Sequence, residues 1–287
     1  MSANSEIYAE TDAIVAEAHC PICRARASSV FAVRIHNERS EPLYRCSECS
    51  FYFFTKHDWL EPSFSEDLNE LDLGSVARCL LVADFVTAVF PPRRRGYSAL
   101  DWGGGDGLLT RLLRERGINC VWCDPHVKPR FVGDSIYEPN SRVDVTVVSE
   151  VFLHLTDPVS ELRSLLSQSD IVIVTALVPP KKLDEQWWYL MPETGQHVSF
   201  YPQTALQALA DQTNSRLCSD GRFFHVFSRR KLSFPIRTLI RIRPLTYGRA
   251  YLQHGARLIR IGIGRSTSMT ADDQARLIHA RRRTRRS

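Results

Sequence analysis

The sequence predicts an α/β fold that follows a small cysteine-rich module and precedes a basic tail. Strand-like and helix-like runs alternate between residues 98 and 229, a glycine-rich turn lies between the first such strand and helix, and two cysteine pairs come before them. A chain of 287 residues has room for one full α/β domain and a small accessory unit. The 24% of charged and 44% of apolar residues are typical of a soluble globular protein, and no apolar stretch reaches the length of a membrane-spanning helix.

Four cysteines near the start of the chain have the spacing of a metal site. Cys20 and Cys23, then Cys46 and Cys49, form two Cys-x-x-Cys pairs with 22 residues between them. Four thiolates in two tight turns can complete a tetrahedral shell around Zn²⁺, whereas a redox dithiol is the alternative. The first residues lack the basic and apolar regions of a signal peptide, so we expect a cytoplasmic protein, in which disulfides are rare. We therefore predict a zinc ribbon over residues 1–55, in which the metal has a structural role.

Residues 56–97 are expected to connect this ribbon to the main domain. Residues 56–73 are polar and acidic, which is typical of a linker. Apolar residues then recur at helical spacing over 75–90, and Pro91 and Pro92 end the pattern because proline cannot continue a helix. The sequence therefore predicts an acidic linker followed by one helix.

From residue 98 the predicted strands are separated by predicted helices, as in a parallel sheet. The fifth strand is a run of β-branched residues, which is typical of a strand buried on both faces. The last two strands flank Ser219, Asp220 and Gly221, which together form a hairpin signal. The predicted strands lie at 98–101, 120–124, 131–133 (a weak pattern), 143–149, 171–176, 217–218 and 223–227.

A glycine-rich turn ends the first predicted strand. Asp101, Gly103, Gly105 and Gly107 have the spacing acid-x-Gly-x-Gly-x-Gly, which permits a sharp turn into a helix and a close approach of a ligand to the main chain. Asp124 ends the second strand, 21 residues after Gly103, where a carboxylate can accept hydrogen bonds from ribose hydroxyls. An acid before the glycines would repel a pyrophosphate, whereas it suits a ligand that carries an ammonium group. We therefore predict a Rossmann-like site for a nucleoside-bearing ligand.

Together these motifs resemble the class I S-adenosylmethionine-dependent methyltransferases, whose first motif is the glycine turn and whose second is the ribose acid. Residues 144–158 also resemble the fourth strand of that family and the EVxEH…DP segment after it, although Leu153 stands where a glutamate is common. The resemblance covers about residues 75–228 and implies a seven-stranded methyltransferase sheet over residues 98–229. The residues that it implies for S-adenosylmethionine are Asp101, Gly103, Gly105, Gly107, Asp124, Asp134 and Glu150.

Candidates for the chemistry follow the fourth and fifth predicted strands. Glu150 and His154 come after the fourth, although His154 also suits a packing role at the start of a helix. The fifth is followed by a long segment, 179–201, and loops of this length in compact domains usually have a function. Its stretch 195–201 resembles the GxHxxFY motif of a bacterial methyltransferase group related to ubiquinone-pathway enzymes.

Within this stretch, His197 is the candidate base, because the unperturbed pKa of histidine is about 6.5. The alternative is that His197 binds a backbone carbonyl and holds a lid over the acceptor. Aromatic side chains of the segment are expected to wall the acceptor pocket, although core packing is the alternative for the tryptophans. The residues predicted to contact the acceptor are Trp187, Trp188, Tyr189, His197 and Tyr201.

Residues 230–287 are predicted to form a basic helical tail. From Arg229 onward, fifteen arginines and one lysine face two aspartates, a net charge of +14, whereas residues 1–228 have 21 basic and 30 acidic residues, a net charge of −9. Apolar and cationic residues alternate at roughly helical spacing over 232–243. This pattern suits packing on the acidic body, peripheral contact with an anionic membrane, or contact with RNA.

The leading interpretation is an S-adenosylmethionine-dependent methyltransferase that acts on a small or carrier-linked metabolite, such as a sugar or another hydroxyl or carbon acceptor. The arrangement of ribbon and main domain resembles two groups of methyltransferases with a zinc ribbon, one acting on small metabolites and one whose ribbon helps to bind ribosomal RNA. The chain lacks an Asn-Pro-Pro-Tyr stretch after the fourth strand, which weakens a nucleic-acid acceptor without excluding it. The alternatives are an RNA methyltransferase and an inactive zinc-ribbon scaffold or sensor. The sequence leaves the acceptor and the oligomeric state open.

Overall fold

The computed structural model describes residues 18–64, 74–90 and 97–242, which form a small antiparallel sheet and a larger mixed sheet. The small sheet takes four of its strands from the N-terminal region and one from much later in the chain, in the order β1-β2-β3-β4-β9. These strands are β1 (Ala18–His19), β2 (Arg26–Ile35), β3 (Arg39–Cys46), β4 (Tyr52–Phe53) and β9 (Ser199–Phe200). The late strand therefore completes the N-terminal sheet.

The larger sheet contains β5 (Ser98–Trp102), β6 (Asn119–Cys123), β7 (Val143–Ser149), β8 (Ser169–Thr175), β10 (Arg216–Ser219) and β11 (Phe224–Ser228). Their order is β10-β11-β8-β7-β5-β6. Strands β8, β7, β5 and β6 are parallel to one another. Strands β10 and β11 form an antiparallel hairpin, and β11 pairs antiparallel with β8. This arrangement is the α/β fold with a terminal antiparallel pair that the alternating pattern predicts.

The prediction of seven strands is not confirmed, since the larger sheet has six among the described residues. Residues 131–133, predicted as a weak third strand, form no strand, and a parallel bridge between Ile136 and Trp122 extends the sheet beside β6 instead. Pro129, Gly133 and Pro139 interrupt this segment. Proline removes a ladder donor and glycine favours turns, so the segment cannot sustain a longer pairing.

Five helices connect and flank the strands of the described chain, namely α1 (Ser75–Val89), α2 (Leu108–Glu115), α3 (Pro158–Gln168), α4 (Gln203–Gln212) and α5 (Phe234–Arg241). Helix α3 begins where its sequence dictates, because the Asp157 side chain accepts a hydrogen bond from the Ser160 backbone nitrogen and Pro158 occupies the first turn. Among the described residues, no helix is long and apolar enough to cross a membrane.

The N-terminal sheet and the larger sheet share one hydrophobic core. Phe51 lies 4.9 Å from Tyr201 between ring centroids, and Tyr201 lies 6.0 Å from Phe152 at the edge of the larger sheet. All three are almost fully buried in one continuous cluster of apolar side chains. The boundary expected after residue 55 stays a prediction, but packing extends across it.

Two predicted segments lie wholly or partly outside the described residues. The acidic linker is described only to residue 64, and the basic tail only to residue 242. Where the tail is described, Ile240 of α5 is fully buried, and Leu232, Ile236 and Leu239 pack against the core under α1. The apolar face of this short helix therefore packs on the protein itself.

Candidate active site

The turn between β5 and α2 depends on its glycines. Gly103, Gly105 and Gly107 have φ values of +70°, +54° and +88°, in the left-handed region that favours glycine. A Cβ atom at Gly103 would lie 2.5 Å from Val151 Cγ2, so this glycine is required for packing. A Cβ atom at Gly105 would meet nothing within 4 Å. The main chain at Gly105 therefore borders open space.

Asp101 stabilises this turn through hydrogen bonds to the first turn of α2. Its carboxylate is buried and accepts hydrogen bonds from the Thr110 backbone nitrogen at 3.0 Å and from the Thr110 hydroxyl at 2.8 Å. Burial raises the pKa of Asp101 to about 7, against the lowering effect of these two hydrogen bonds. The carboxylate thus ties the end of β5 to the first turn of α2, and its direct contact with a ligand stays a prediction.

Asp124, at the end of β6, holds the turn from the other side. Its Oδ2 accepts a hydrogen bond from the Gly105 nitrogen at 2.9 Å, and its Oδ1 accepts from the nitrogens of His126 and Val127 at 2.8 and 3.0 Å. The Trp122 indole donates to the Gly105 carbonyl at 2.9 Å. Gly105 and the half-buried Asp124 therefore meet at the carboxyl ends of two adjacent parallel strands, where ligands bind in open α/β sheets.

Glu150 follows β7 in a left-handed conformation, with φ of +61°, which is uncommon for a residue with a side chain. Its Oε1 accepts a hydrogen bond from the Thr175 hydroxyl at 3.2 Å, and its Oε2 accepts one from the Tyr189 hydroxyl at 2.6 Å. The Tyr189 oxygen also accepts a hydrogen bond from the Leu177 nitrogen at 3.1 Å. Burial, then the Glu150 charge, raises the pKa of Tyr189 well above its usual value, so Tyr189 stays protonated.

His197 lies against Tyr189. Its Nδ1 lies 2.7 Å from the carbonyl oxygen of Tyr189, and its ring centroid lies 4.9 Å from that of Tyr189. Because a carbonyl only accepts, Nδ1 carries the proton of this hydrogen bond. The His154 ring lies 5.5 Å from His197. Burial, with a smaller effect from His197, lowers the pKa of His154 well below its usual value, so His154 is neutral at pH 7.

The other predicted site residues separate into exposed and buried positions. Trp188 is 66% exposed, whereas Trp187 is half-buried and lies 5.2 Å from the Tyr189 ring. Tyr201 is 1% exposed and its hydroxyl donates to the Phe152 carbonyl at 2.8 Å, deep in the shared core. Asp134 is exposed on the segment beside β6.

Two aromatic contacts beside the site were missed by the sequence reasoning. Phe64, in a single 3-10 turn (Glu61–Phe64), stacks on His126 with centroids 4.5 Å apart and lies 5.5 Å from His154. His126 follows Asp124 by two residues, so the segment interpreted as linker covers the end of β6. The available signal was the pair of aromatic residues, Trp59 and Phe64, within an otherwise polar stretch.

The N-terminal sheet also holds the long segment after β8. The His36 nitrogen donates to the Pro192 carbonyl at 2.8 Å, and the Trp59 indole donates to the Gly195 carbonyl at 3.0 Å. Tyr52 in β4 pairs with Phe200 in β9. We refer to residues 192–200 as the clamped segment. The position of His197, which lies within this segment, therefore depends on the N-terminal sheet.

The four N-terminal cysteines converge as their spacing predicts. Their Sγ atoms all lie within 4.8 Å of one another, with separations of 3.6 Å for Cys20–Cys49, 3.4 Å for Cys23–Cys46 and 3.6 Å for Cys23–Cys49. A tetrahedral shell with Zn–S bonds of about 2.3 Å places sulfurs about 3.8 Å apart, so the cluster has the size of a metal site. The Thr204 hydroxyl, at the start of α4, donates to the Cys49 carbonyl at 2.7 Å.

A family model described as a methyltransferase domain matches residues 77–219. No curated protein matches the sequence significantly. Among similar solved structures, TnmH is 15% identical with a TM-score of 0.44, and the match covers 60% of this chain and 61% of that chain. The mitomycin 7-O-methyltransferase MmcR is 14% identical with a TM-score of 0.43, over 58% of this chain and 60% of that chain.

An O-methyltransferase family protein from Burkholderia thailandensis is 9% identical with a TM-score of 0.43, over 62% of this chain and 65% of that chain. The chain therefore spans less than two thirds of the length of each of these three structures.

Proposed function

We propose that this chain, whose residues 77–219 match a methyltransferase domain, is a methyltransferase with S-adenosylmethionine as donor. Its proposed acceptor is a hydroxyl or carbon atom of a small or carrier-linked metabolite. One observation carries the proposal. Gly105 and Asp124 meet at the ends of β5 and β6, while Glu150, Tyr189 and His197 are linked beside the ends of β7 and β8. A nucleoside pocket and an acceptor pocket would thus share one edge of the sheet.

The residues present fit S-adenosylmethionine at the first of these places. The open space over Gly105 admits a ligand against the main chain, and the partly exposed Asp124 carboxylate has remaining lone pairs for ribose hydroxyls. When bound, S-adenosylmethionine supplies a methyl group activated by its sulfonium. Asp101 acts by fixing the turn, and Asp134, on the exposed segment beside β6, is available on the adenine side.

On the acceptor side, we assign the base to His197. The hydrogen bond from Nδ1 to the Tyr189 carbonyl fixes the ring, and in the proposed reaction Nε2 is the atom that takes the proton of an acceptor hydroxyl. The pinning contact and the catalytic role, alternatives in the sequence, are therefore compatible. Because burial keeps His154 neutral, His154 does not repel a positive charge that forms on His197. Glu150 holds Tyr189 in place through its hydroxyl.

Aromatic side chains support a small acceptor at this place. The Trp187 and Tyr189 rings are in contact, Tyr189 also contacts His197, and Phe200 of the clamped segment lies 5.6 Å from Trp187. We assign Trp187 and Tyr189 to the pocket wall, Trp188 to its outer rim, and Tyr201 to support from the core.

We further propose that Cys20, Cys23, Cys46 and Cys49 bind a structural Zn²⁺. The sulfur separations and the burial of three of the four cysteines support a closed tetrahedral site. The contact with Cys49 lowers the pKa of Cys20, whereas the contact with Cys20 raises the pKa of Cys49 and burial raises that of Cys46. A closed site leaves the metal no open position for a substrate.

Calorimetry on ligand-stripped protein tests the cofactor, and label transfer tests the acceptor. We expect S-adenosylmethionine and S-adenosylhomocysteine to bind with one site per chain. Incubation with methyl-labelled S-adenosylmethionine should label the small-molecule fraction of a cell extract. The absence of cofactor binding would reject the proposal, and label found only in RNA would replace the acceptor class.

A further inference from the structure

A basic groove lies at the end of the larger sheet opposite to the candidate active site. Arg216 in β10 pairs with Ser228 in β11, and Ser228 pairs with Ile171 near the start of β8. Thr175, which contacts Glu150, ends the same strand β8. The groove and the proposed acceptor site are therefore separated by the length of a strand.

Four cationic side chains line this groove around a small apolar floor. The volume of the groove is about 130 Å³. Leu217, Cys218 and Leu232 form its apolar part, and Ser228 also lines it. A cavity that admits several water molecules has room for one phosphate-sized group. The four cations are Arg216, Lys231, Arg237 and Arg241.

The cations of this groove lack carboxylate partners within the described chain. None of the four forms an ion pair with an aspartate or glutamate of residues 18–64, 74–90 or 97–242. The Nε atom of Arg237 is buried and has no hydrogen-bond partner among these residues. A buried donor of a charged group that lacks an acceptor is destabilising, so the described residues leave the hydrogen-bonding capacity of Arg237 unsatisfied.

Helix α5 fixes the geometry of the groove. Arg237 and Arg241 are four residues apart, so they share one face of the helix, while the buried Ile240 anchors the helix to the core. Like charges held this close repel each other unless an anion lies between them. The sequence after residue 242 continues with eleven arginines against Asp272 and Asp273, so it adds mainly positive charge.

We propose that this groove binds a phosphate group, either free or carried by the headgroup of an anionic lipid. Guanidinium groups bind phosphate oxygens through paired, charge-assisted hydrogen bonds, and Arg237 and Arg241 bring two guanidinium groups to the groove. Because the groove is remote from Glu150 and His197, the phosphate is not part of the acceptor pocket. Bound there, it anchors the protein to a phosphate-bearing molecule or surface.

Pyrophosphate titration by calorimetry, on the full chain at low salt, tests the free-phosphate source. Arg237→Gln and Arg241→Gln should each weaken binding by about tenfold or more, which corresponds to one lost charge-assisted pair. Arg163→Gln, at an exposed arginine on α3 that contacts the Gln212 carbonyl, serves as the matched control and should leave binding unchanged. Thermal unfolding of each variant checks its folding, and Arg241→Gln decides the test if Arg237→Gln is unstable.

Sedimentation with vesicles tests the lipid source. Vesicles of phosphatidylcholine with phosphatidylglycerol should carry down the wild-type protein, and Arg237→Gln should reduce this more than Arg163→Gln does. Binding of pyrophosphate alone, or of these vesicles alone, supports the proposal and identifies the source. If neither binds, or if Arg163→Gln has an equal effect, the proposal is wrong. An RNA hairpin that binds through Arg237 while pyrophosphate and vesicles do not would assign the groove to RNA instead.

Discussion

The Tyr189 hydroxyl donates to Glu150 Oε2 at 2.6 Å, and through this contact a residue after β7 positions the segment after β8. Tyr189 in turn holds His197, whose Nδ1 lies 2.7 Å from the Tyr189 carbonyl. The carboxylate acts on the ring hydroxyl and the histidine on the backbone, so changes at Glu150 and at His197 are separable. This separation allows the proposed base to be tested without disturbing its support.

His197→Gln should lower kcat by about 10²–10⁴-fold and leave the affinity for S-adenosylmethionine unchanged. Glutamine can still donate to the Tyr189 carbonyl but cannot take a proton from an acceptor. Rates of label transfer and calorimetric binding measure the two effects. His19→Gln, at an exposed histidine in β1, is the control and should match the wild-type rate. A His197→Gln enzyme with full kcat would leave His197 with the pinning role alone.

Asp124→Ala should weaken S-adenosylmethionine binding by about tenfold or more, because a hydrogen bond to a charged group contributes about 1.5–3 kcal/mol. The variant also removes the acceptor of the Gly105, His126 and Val127 nitrogens, so Asp124→Asn separates lost charge from a loosened turn. Asp211→Asn, an exposed acid on α4, is the matched control. Equal affinities in all variants would place the cofactor elsewhere.

The sequence predicts the parts of the site whose residues are close together in the chain. The glycine turn, the acid at the end of β6 and the two cysteine pairs have fixed spacings, because each pattern meets a local backbone or ligand requirement. Asp101 shows the limit of such reasoning. The spacing predicts its position but not its hydrogen bonds to Thr110, which depend on how α2 packs against β5.

Contacts between distant residues could not be predicted from the sequence. Tyr52 pairs with Phe200 across 147 intervening residues, and no local pattern indicates that a two-residue strand in a long loop completes the N-terminal sheet. The stacking of Phe64 on His126 was likewise unpredictable, because the two residues are far apart in the sequence. The weak third strand, by contrast, is a local prediction that is wrong. The prolines and the glycine of this segment limit its pairing with β6 to one bridge.

The raised pKa of the buried Asp101 should make the free energy of unfolding of the ligand-free protein depend on pH. Its pKa in the folded state is about 7, above about 3.9 in the unfolded chain, so the folded state holds the proton between these pH values. This contribution to stability is full below about pH 4 and falls as pH rises towards 7, by at most about 1.4 kcal/mol per pH unit.

Asp101→Asn keeps an oxygen for Thr110 and removes the charge. In urea unfolding at pH 5, 6 and 7, the free energy of unfolding of this variant relative to wild type should therefore increase with pH. Asp211→Asn controls for an exposed carboxylate. A difference that stays constant with pH would contradict a raised pKa for Asp101.

Removal of the proposed Zn²⁺ should loosen the clamped segment as well as the cysteine cluster. Without Zn²⁺ the four thiols no longer fix the two turns, β4 loses its support, and β9 pairs only with β4. Hydrogen exchange on protein treated with a strong chelator, or on Cys46→Ser, should show faster exchange in residues 18–54 and 192–200, with α2 unaffected. Metal analysis should find about one zinc per chain in wild type and none in Cys46→Ser. Cys79→Ser, at a cysteine on α1 outside the cluster, is the control. If residues 192–200 kept their protection while residues 18–54 lost theirs, the N-terminal sheet would not be what holds His197 and its segment in place.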